Sequence, residues 1–488
     1  EWSARDRLNA KTAAASDTRT IYMASGGTLV PFAWSTMDTA TQNLFGSKCS
    51  LLSQCAALSA DEKAIVDNGE KMVTFLRGQR GHELLMRERE YVLGDLVGSR
   101  PAFVRDPRRA YGDANVPSYF DFKALHANRR PMVYIGGNDG MLHAFDANTG
   151  NELWAFVPRT VMPRMYRLAE AAYATQHEFY VDGSPTVNDA YVNGAWRTVL
   201  IGGMNAGGRG FFALDVTDPL APALLWEFCS SSLCPRNDAD VGLSFGNPVI
   251  TKRAFDGKWV AVLTSGYNNV GPGDGKGYLY VLDLGTGALL SKTATGAGST
   301  TDPSGLARVS NWVTDPDSDN TAQYVYGGDL KGNLWRFDLG ASTPSALRMT
   351  TLNDGASKHQ PITTRPELGR IDGKRVIFVG TGRYLGASDL QDPSTLSPVG
   401  DWSYAGSLYA IKDTGTTIGN PRGTGTFKLQ TIVEAGSGRR RISGSTTDWG
   451  SDNGWFIDFP STGERMNLDP QLVLCTLVAT TNVPNNNA

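Results

Sequence analysis

The 488-residue sequence has a near-balanced charge, with 46 Lys and Arg against 49 Asp and Glu and a formal net charge of −3. No basic tract stands out, so we expect no nucleic-acid partner. No apolar run approaches the roughly 18 residues that a membrane-spanning helix needs. The 55 glycines and the 10% of aromatic residues favour many short strands joined by tight turns, which is typical of an all-β chain.

The N-terminal segment, residues 1–34, contains the run "RTIYMASGGTLVPF", which ends at Phe32. Its apolar residues alternate on either side of a Gly-Gly turn, which predicts two paired strands. No other strands precede this pair in the sequence. We therefore expect it to complete a sheet whose remaining strands come from elsewhere in the chain.

Residues 35–98 differ from the rest in their hydrophobic spacing and are predicted to form a mostly helical insertion. In "LSADEKAIVDNGEKMVTFLRG", Ser59 is a candidate N-cap and acidic residues follow it in the first turn. Apolar residues then recur at helical spacing, at Ile65, Val66, Met72, Val73 and Leu76.

A short pattern recurs through residues 99–488, consisting of a Gly, alternating apolar residues and often an Asp. The copies begin at Gly140 (GMLHAFD), Gly210 (GFFALD), Gly277 (GYLYVLD), Gly332 (GNLWRFD), Gly406 (GSLYAIK) and Gly454 (GWFIDF), with a looser copy at Gly27 (GTLVPF). A β-branched run ending in Gly precedes most copies, and another short strand precedes several of these runs. Each unit is therefore interpreted as a meander of about four strands.

One meander cannot bury its own face, so the copies must stack on one another. Their spacing of roughly 50–70 residues fits propeller blades with long loops. Seven copies predict seven blades, and joining the N-terminal pair to the C-terminal run "PQLVLCTLVATTNVP" would close the ring and remove exposed edges. A β-sandwich is the structural alternative, but it gives no reason for self-similar units.

Five cysteines indicate an oxidising compartment. Cys49 and Cys55, and likewise Cys229 and Cys234, are close enough in sequence to close small disulfide loops, whereas Cys475 is left without a partner. Reduced, unrelated thiols are the alternative. Neither pair has the CxxC spacing of a redox motif, and the five histidines are scattered, which argues against a His-ligated metal.

The stretch "TDPDSDN" places carboxylates at alternating positions, Asp315, Asp317 and Asp319, just ahead of a predicted strand. Three such carboxylates repel one another unless a cation lies among them. Oxygen ligands at positions 1, 3 and 5 of a loop are those that Ca²⁺ takes, with a backbone carbonyl at position 7, here Thr321. Gln323 stands at position 9, where its amide oxygen could ligate.

The comparison with an EF-hand then fails at three points. Position 6 is Asn320 rather than Gly, position 12 is Tyr326 rather than a bidentate Glu, and the flanking elements are strands. We predict a nine-residue, EF-hand-like calcium loop within a hairpin, over residues 315–323. The alternative is a solvated acidic turn, because Asp and Asn are common in turns.

Long ordered motifs give the chain a resemblance to a known family. The runs "VLGDLVGSRPAFV", "HANRRPMVYIGGNDGMLHAFDANTGNELWAFVP", "GGRGFFALDVTDP" and "VYGGDLKGNLWRFDL" resemble the C-terminal domain of PilY-type proteins, the type IV pilus biogenesis factors and tip-associated adhesins of Gram-negative bacteria. The resemblance extends from about Tyr91 to the end of the chain and implies a modified, quinoprotein-like seven-bladed β-propeller with one Ca²⁺ loop.

The same resemblance implies a set of ligands, a location and partners. The implied ligands are Asp315, Asp317, Asp319, the Thr321 carbonyl and residue 323, where the family usually has Asp and this chain has Gln323. The implied location is the cell surface at the pilus tip, associated with the outer membrane after export through the periplasm. Implied partners are pilin or minor pilins, and host or abiotic surfaces through regions outside this chain.

The rival interpretation is an enzyme. "GNDGMLHAFDANTGNELW" also resembles the repeat of quinoprotein dehydrogenases, which bind pyrroloquinoline quinone and calcium. A structural role explains the same residues, since Asp146, Thr149 and Gly150 suit a tight turn and Trp154 can pack between blades. The chain also lacks the adjacent Cys-Cys pair common in those enzymes, so we expect a non-enzyme. A generic scaffold that binds partner proteins on one face is the third possibility.

Overall fold

The computed structural model describes residues 1–13, 16–81, 84–386, 389, 405–434, 436 and 439–484. Strands are the main regular structure, and most of them pair antiparallel, as the composition and the period-two patterns predict. Within this part of the chain no helix is both long and apolar enough to cross a membrane.

The first sheet has six strands and combines the N-terminal pair with a four-stranded meander. The strands are β1 (Ile21–Ser25), β2 (Thr28–Pro31), β3 (Ala102–Val104), β4 (Met132–Gly137), β5 (Met141–Asp146) and β6 (Glu152–Val157). Their order is β2-β1-β6-β5-β4-β3, and β1 runs parallel to β6 with Met23 opposite Val157. The N-terminal pair therefore extends the first meander at its outer edge, and the predicted pairing with the C-terminal run is wrong.

The second and third meanders follow in chain order. Their strands are β7 (Thr186–Val192), β8 (Ala195–Gly203), β9 (Gly210–Asp215), β10 (Ala223–Cys229) with the short β11 (Arg236–Asn237), and then β12 (Val249–Arg253), β13 (Trp259–Thr264), β14 (Tyr278–Asp283) and β15 (Leu289–Ala294). The four main strands of each meander pair antiparallel with the next one along the chain, whereas the short β11 pairs parallel with β10.

The fourth meander contains the acidic stretch, and the fifth contains an inserted hairpin. Their strands are β16 (Val309–Asp315), β17 (Asp319–Gly328), β18 (Asn333–Asp338), β19 (Ser345–Thr351), β20 (Glu367–Ile371), β21 (Lys374–Gly380), β22 (Ser407–Lys412), β23 (Phe427–Glu434), β24 (Arg440–Gly444) and β25 (Gly454–Asp458). In the fifth sheet β25 pairs with β22, so the sequence copies at Gly406 and Gly454 belong to one blade. The count of seven copies therefore overstates the number of meanders, because two copies share this sheet.

The described residues contain five four-stranded meanders and a separate C-terminal hairpin, β26 (Gln471–Val473) and β27 (Thr476–Val478). The first strands of successive meanders, β3, β7, β12, β16 and β20, lie against one another in that order, and β26 lies against β20. This succession of first strands is the arrangement expected of propeller blades around an axis.

Helices lie mainly between β2 and β3. They are α1 (Ala4–Thr12), α2 (Thr39–Gln42), α3 (Ala60–Asp67), α4 (Gly69–Leu76) and α5 (Tyr119–Leu125), with short 3₁₀ turns at 34–36, 49–51, 53–57, 162–169, 173–175 and 205–207. Ser59 caps α3 and exchanges hydrogen bonds with Glu62, as predicted. The periodic run is two helices because Asn68 ends α3 and caps α4. Residues 77–81 and 84–98 form turns and irregular segments.

Tryptophans join consecutive blades through the turn that the repeat pattern predicted. Trp226 at the end of the second blade donates from Nε1 to the Leu284 carbonyl of the third at 2.8 Å, and its ring packs where a Cβ at Gly287 would lie. Trp2 does the same for the first blade, donating to the Ala147 carbonyl at 2.9 Å and covering Gly150. The first blade thus receives its tryptophan from the N-terminal segment.

A buried ionic network fixes the N-terminal segment to the first blade. Arg19 donates to both carboxylate oxygens of Glu152 at 2.8 Å, and His143 lies between Glu152 at 2.8 Å and Asp139 at 3.0 Å. Burial alone would lower the pKa of His143, but the carboxylate of Asp139 and then that of Glu152 outweigh it and raise the pKa to about 9. Burial opposes ionisation of Glu152, yet Arg19 and His143 hold the pKa of this carboxyl well below its usual range.

Both predicted disulfides are present, Cys49–Cys55 and Cys229–Cys234. Cys475 is an exposed free thiol in the turn between β26 and β27. The disulfides close short loops beside the sheets, so they fix local loop conformation rather than the relative position of blades.

Candidate functional site

The predicted calcium loop is the tip of the β16–β17 hairpin, which we call the acidic hairpin (residues 315–323). Asp315 ends β16, Asp319 begins β17, and the two residues lie opposite each other in the strand register. Pro316, Asp317 and Ser318 form the turn between them. The sequence prediction of a hairpin at this position is confirmed.

Asp315 closes its own turn. Its Oδ2 accepts from Ser318 Oγ at 2.5 Å, and its Oδ1 accepts from the amides of Asp317 and Ser318 at 3.2 and 3.4 Å. The hydrogen bond from the Ser318 hydroxyl and those from the two amides lower the pKa of Asp315 below its ordinary value. This carboxylate therefore remains ionised without an ion partner.

Asp317, at the tip of the turn, contacts a segment that is distant in sequence. The guanidinium of Arg109 forms an ion pair with its carboxylate, whose side chain is 74% exposed. Two main-chain bonds accompany this pair, from Ala110 N to the Asp317 carbonyl at 2.7 Å and from Gly112 N to the Ser318 carbonyl at 3.2 Å. The tip is thus held by backbone and side chain together.

An aromatic cluster fixes the segment that carries Arg109, residues 109–113. Tyr111 is buried, with its ring stacked on Trp196 at 5.5 Å between centroids and set edge-on to Trp259 at 5.4 Å. The hydroxyl of Tyr119, in α5, donates to Asp189 of β7 at 2.7 Å. The 109–113 segment is therefore anchored to the second and third blades while it contacts the fourth.

Asp319 faces a different cation. Its Oδ1 accepts from the Thr321 hydroxyl at 2.6 Å and lies 2.9 Å from Lys252 Nζ, which also contacts Asp113 at 2.5 Å. The bond from Thr321, and then the charge of Lys252, lower the pKa of Asp319 against a smaller opposing effect of burial. Burial would lower the pKa of Lys252, but Asp113 and Asp319 raise it.

The remaining predicted ligands lie along β17. Asn320 is buried and extended, and its amide donates to the Ile250 carbonyl at 3.0 Å, so it anchors β17 to β12 rather than forming a left-handed turn. Gln323 is exposed, four residues beyond Asp319, which is roughly 13 Å along a strand. Its side-chain nitrogen lies beside Gly340 at the end of β18.

The chemistry of the predicted donors fits Ca²⁺, because all of them are carboxylate, carbonyl or amide oxygens. Their arrangement in this structure is compensated internally, since Arg109 and Lys252 pair with two of the three carboxylates. Within the described residues, no three His, Cys, Asp or Glu side chains are placed together as a metal-binding group.

Sequence reasoning did not identify Arg109, Lys252 or Asp113 as neighbours of the acidic hairpin. Arg109 lies in "RDPRRAYGDAN", an irregular run without strand or helix periodicity. Lys252 lies near the end of β12, of which the run "FGNPVI" covers only the first residues. A surplus of Arg in an irregular segment was the available signal, but the sequence does not say which acidic stretch such a segment would contact.

The residues that this chain shares with the quinoprotein repeat form a tight turn and join two blades, as their residue types predict. Asp146 Oδ1 accepts from the amides of Asn148 and Thr149 at 2.8 and 3.0 Å, and Gly150 has a φ of 73°. Trp154 is buried and donates to the Pro219 carbonyl of the next blade at 2.8 Å. These contacts shape a turn and join two blades without need of a cofactor.

The chain is similar in sequence to proteins of known name. The family model described as the PilY1 beta-propeller domain matches residues 93–434. The type IV pilus biogenesis factor PilY1 of Pseudomonas aeruginosa strain PAK is 34% identical over 95% of this chain and 42% of its own length. A homologue from Xylella fastidiosa is 36% identical over 87% of this chain and 34% of its own length. The chain therefore spans less than half of the length of either relative. Both relatives are named as biogenesis factors rather than enzymes.

Solved structures agree with the sequence comparison. The crystal structure of the P. aeruginosa PilY1 C-terminal domain matches with a TM-score of 0.62 at 32% identity, covering 79% of this chain and 83% of that chain. The quinohemoprotein alcohol dehydrogenase of Comamonas testosteroni matches with a TM-score of only 0.29 at 12% identity, which carries no argument about activity. The family-model match over residues 93–434, the 34% identity to PilY1 and the match to the PilY1 C-terminal domain show that the chain belongs to the PilY1 β-propeller family.

Proposed function

We propose that this chain is the propeller part of a type IV pilus biogenesis factor, and that its acidic hairpin binds one Ca²⁺ ion that controls pilus extension, retraction and twitching motility. Family membership supports the role in pilus biogenesis. The acidic hairpin supports the proposal of calcium binding, because it exposes three carboxylates within five residues at the end of a sheet.

A bound Ca²⁺ ion would supply charge neutralisation at the turn and join carboxylates that otherwise repel one another. Asp315, Asp317, Asp319, the Thr321 carbonyl and Gln323 are the proposed ligands. Without the ion, Arg109 and Lys252 neutralise Asp317 and Asp319 and hold the tip against the 109–113 segment. Calcium and these two side chains therefore compete for the same carboxylates, which makes the contact between the fourth blade and the 109–113 segment the part that changes.

The proposed partners are pilin or minor pilins, at the cell surface or the pilus tip, with adhesion to host or abiotic surfaces left to regions outside this chain. The same acidic hairpin offers a partner two different surfaces, one with the 109–113 segment attached and one with the ion. This order change at a surface is a recognised form of calcium switching.

The test combines calorimetry with motility. We expect calcium-dependent heat for the unsubstituted chain and its loss in Asp317→Asn, together with altered piliation or twitching when the same substitution is placed in the native bacterium. Asp302→Asn is the matched control, because Asp302 is similarly exposed and, like Asp317, paired with a cation, here Lys331, but lies outside the acidic hairpin.

Two results would contradict the proposal. Absence of calcium-dependent heat in the unsubstituted chain would show that the acidic hairpin does not bind Ca²⁺. If Asp317→Asn loses calcium binding while piliation and twitching stay normal, the hairpin binds Ca²⁺ but the ion does not control motility.

A further inference from the structure

The first strands of the second to fifth blades, together with β26, line a channel of about 960 Å³. Residues from β7, β12, β16, β20 and β26 line it, together with Arg109 and Pro316 of the region around the acidic hairpin. The acidic hairpin therefore lies at one mouth of this channel, and the channel itself has no part in the proposed calcium site.

The channel wall is positively charged. Three arginines line it, Arg109, Arg365 and Arg370, and among the described lining residues there is no Asp or Glu. The rest of the wall consists of neutral side chains, including the amides of Asn188, Asn247 and Asn311. A cleft lined by charges of one sign concentrates ligands of the opposite sign, so this wall favours an anion.

Two of the arginines have no ion-pair partner in the part of the chain that the structure describes. Among the described residues, the guanidinium of Arg365 has no ion-pair partner, and its backbone amide is held by Asp469 at 2.8 Å. Asp469 is in turn paired with Arg308 at 2.8 Å. Arg370 lies over the ring of Trp312 at 5.6 Å, a cation–π contact that keeps its guanidinium at the wall without cancelling its charge.

Arg109 demonstrates that a carboxylate is accepted at this mouth. Its guanidinium already holds the side chain of Asp317, and the adjacent amides of Ala110 and Gly112 bind the main-chain carbonyls of the same turn. A turn that bears a carboxylate is thus bound at the channel entrance by an arginine and backbone amides together.

The strands present their edges, rather than their faces, to the channel. Consecutive residues line it in three strands, at 186–188, 309–313 and 368–370, whereas a strand that showed a face would contribute alternate residues only. Among the described strands, β7 pairs only with β8, β16 only with β17 and β20 only with β21. Their second edges are therefore free to bind the main chain of an extended peptide.

We infer that the channel is a binding site for an extended acidic peptide segment of a partner protein. The free strand edges would bind its main chain, and Arg365 and Arg370 would bind its carboxylates in the geometry that guanidinium groups favour. None of the proposed calcium ligands lines this site, so its binding does not require calcium.

The probe is a short, end-blocked, fluorescently labelled peptide of alternating Glu and Thr, titrated by anisotropy in buffer with a chelator. We expect it to bind, a peptide of alternating Lys and Thr not to bind, and the double variant Arg365→Gln/Arg370→Gln to weaken binding by about tenfold, as for two charge pairs in a partly enclosed cleft. Arg348→Gln/Arg441→Gln is the matched control, since both residues are exposed, neither lines the channel and the net charge is the same.

Hydrogen exchange locates the peptide. Its binding should protect the backbone amides of residues 309–313 and 368–370. Equal weakening by the two double variants, binding without protection of these strands, or binding of an oligogalacturonate in place of the acidic peptide would each overturn the inference.

Discussion

The chain holds two clusters of charge that are similar in composition and opposite in setting. The network of Arg19, Glu152, His143 and Asp139 is buried, with the side chains of Arg19 and Glu152 no more than 1% exposed. The acidic hairpin pairs Asp317 and Asp319 with Arg109 and Lys252, but these carboxylates are 74% and 62% exposed. Both clusters join segments distant in sequence.

The difference in burial gives the two clusters different roles. Ions in the interior have lost their water and depend on one another, so breaking one pair is costly. Exposed ions exchange one partner for another at little cost, because water replaces whatever is lost. The first cluster therefore fixes the structure, whereas the second is suited to exchange a side-chain cation for a metal ion.

The largest expected effect is on the buried cluster. Glu152→Gln leaves the guanidinium of Arg19 buried without its carboxylate, and we expect the free energy of unfolding to fall by about 3–5 kcal/mol. Urea denaturation monitored by tryptophan fluorescence measures the change. Glu434→Gln removes a 64% exposed partner of Arg440 and should cost less than about 1 kcal/mol. Equal losses in the two variants would show that burial does not distinguish the clusters.

The second prediction concerns alkaline pH. The folded pKa of His143, about 9, exceeds its ordinary value of 6.5, so its contribution to stability is complete below pH 6.5 and is lost as the pH rises through about 9. The decrease in stability between these values should therefore be steeper in the unsubstituted chain than in His143→Gln. Glu227, whose pKa is raised to about 7 by burial, titrates at the acid end of this window, but it is present in both chains, so the difference between their curves reports His143.

A direct measurement complements the stability curves. The imidazole of His143, followed by NMR in the unsubstituted chain, should stay protonated until the pH approaches 9. Titration of this ring near 6.5 would contradict the assignment of a charged network.

The smallest expected effect is on the acidic hairpin. Arg109→Gln removes the cation that competes for Asp317, so we expect calcium affinity to rise by about two- to fivefold, with stability changed by less than about 1 kcal/mol. Arg105→Gln is the control, because Arg105 pairs with Asp106 shortly before the 109–113 segment and does not contact the hairpin. Calorimetry compares the three chains, and an unchanged or weaker affinity in Arg109→Gln would argue against competition.

Local patterns predicted the local structure well. Period-two alternation located the second and third strands of all five meanders, Ser59 located the start of α3, and cysteine spacing identified both disulfides. Each of these features is determined by residues that are neighbours in the chain, and the sequence shows such neighbours directly.

Long-range pairing could not be predicted in the same way. The Gly454 copy is a fourth strand rather than a new blade, because β25 pairs with β22 across a long connection. The N-terminal pair joins β6 rather than the C-terminal run. At the candidate site the carboxylates were predicted, but Arg109 and Lys252 were not, since contact across more than 60 residues depends on how blades pack and leaves no periodic signal.

The Trp2 contact has a practical consequence for the design of shortened chains. Trp2 occupies, on the first blade, the place that Trp226 occupies on the third, because each ring covers the glycine of a tight turn. A recombinant fragment trimmed to begin at the first strand would lose this ring and leave the turn at Gly150 without its tryptophan. Expression boundaries chosen from strand positions alone would therefore remove a contact of a kind that the first blade shares with the third.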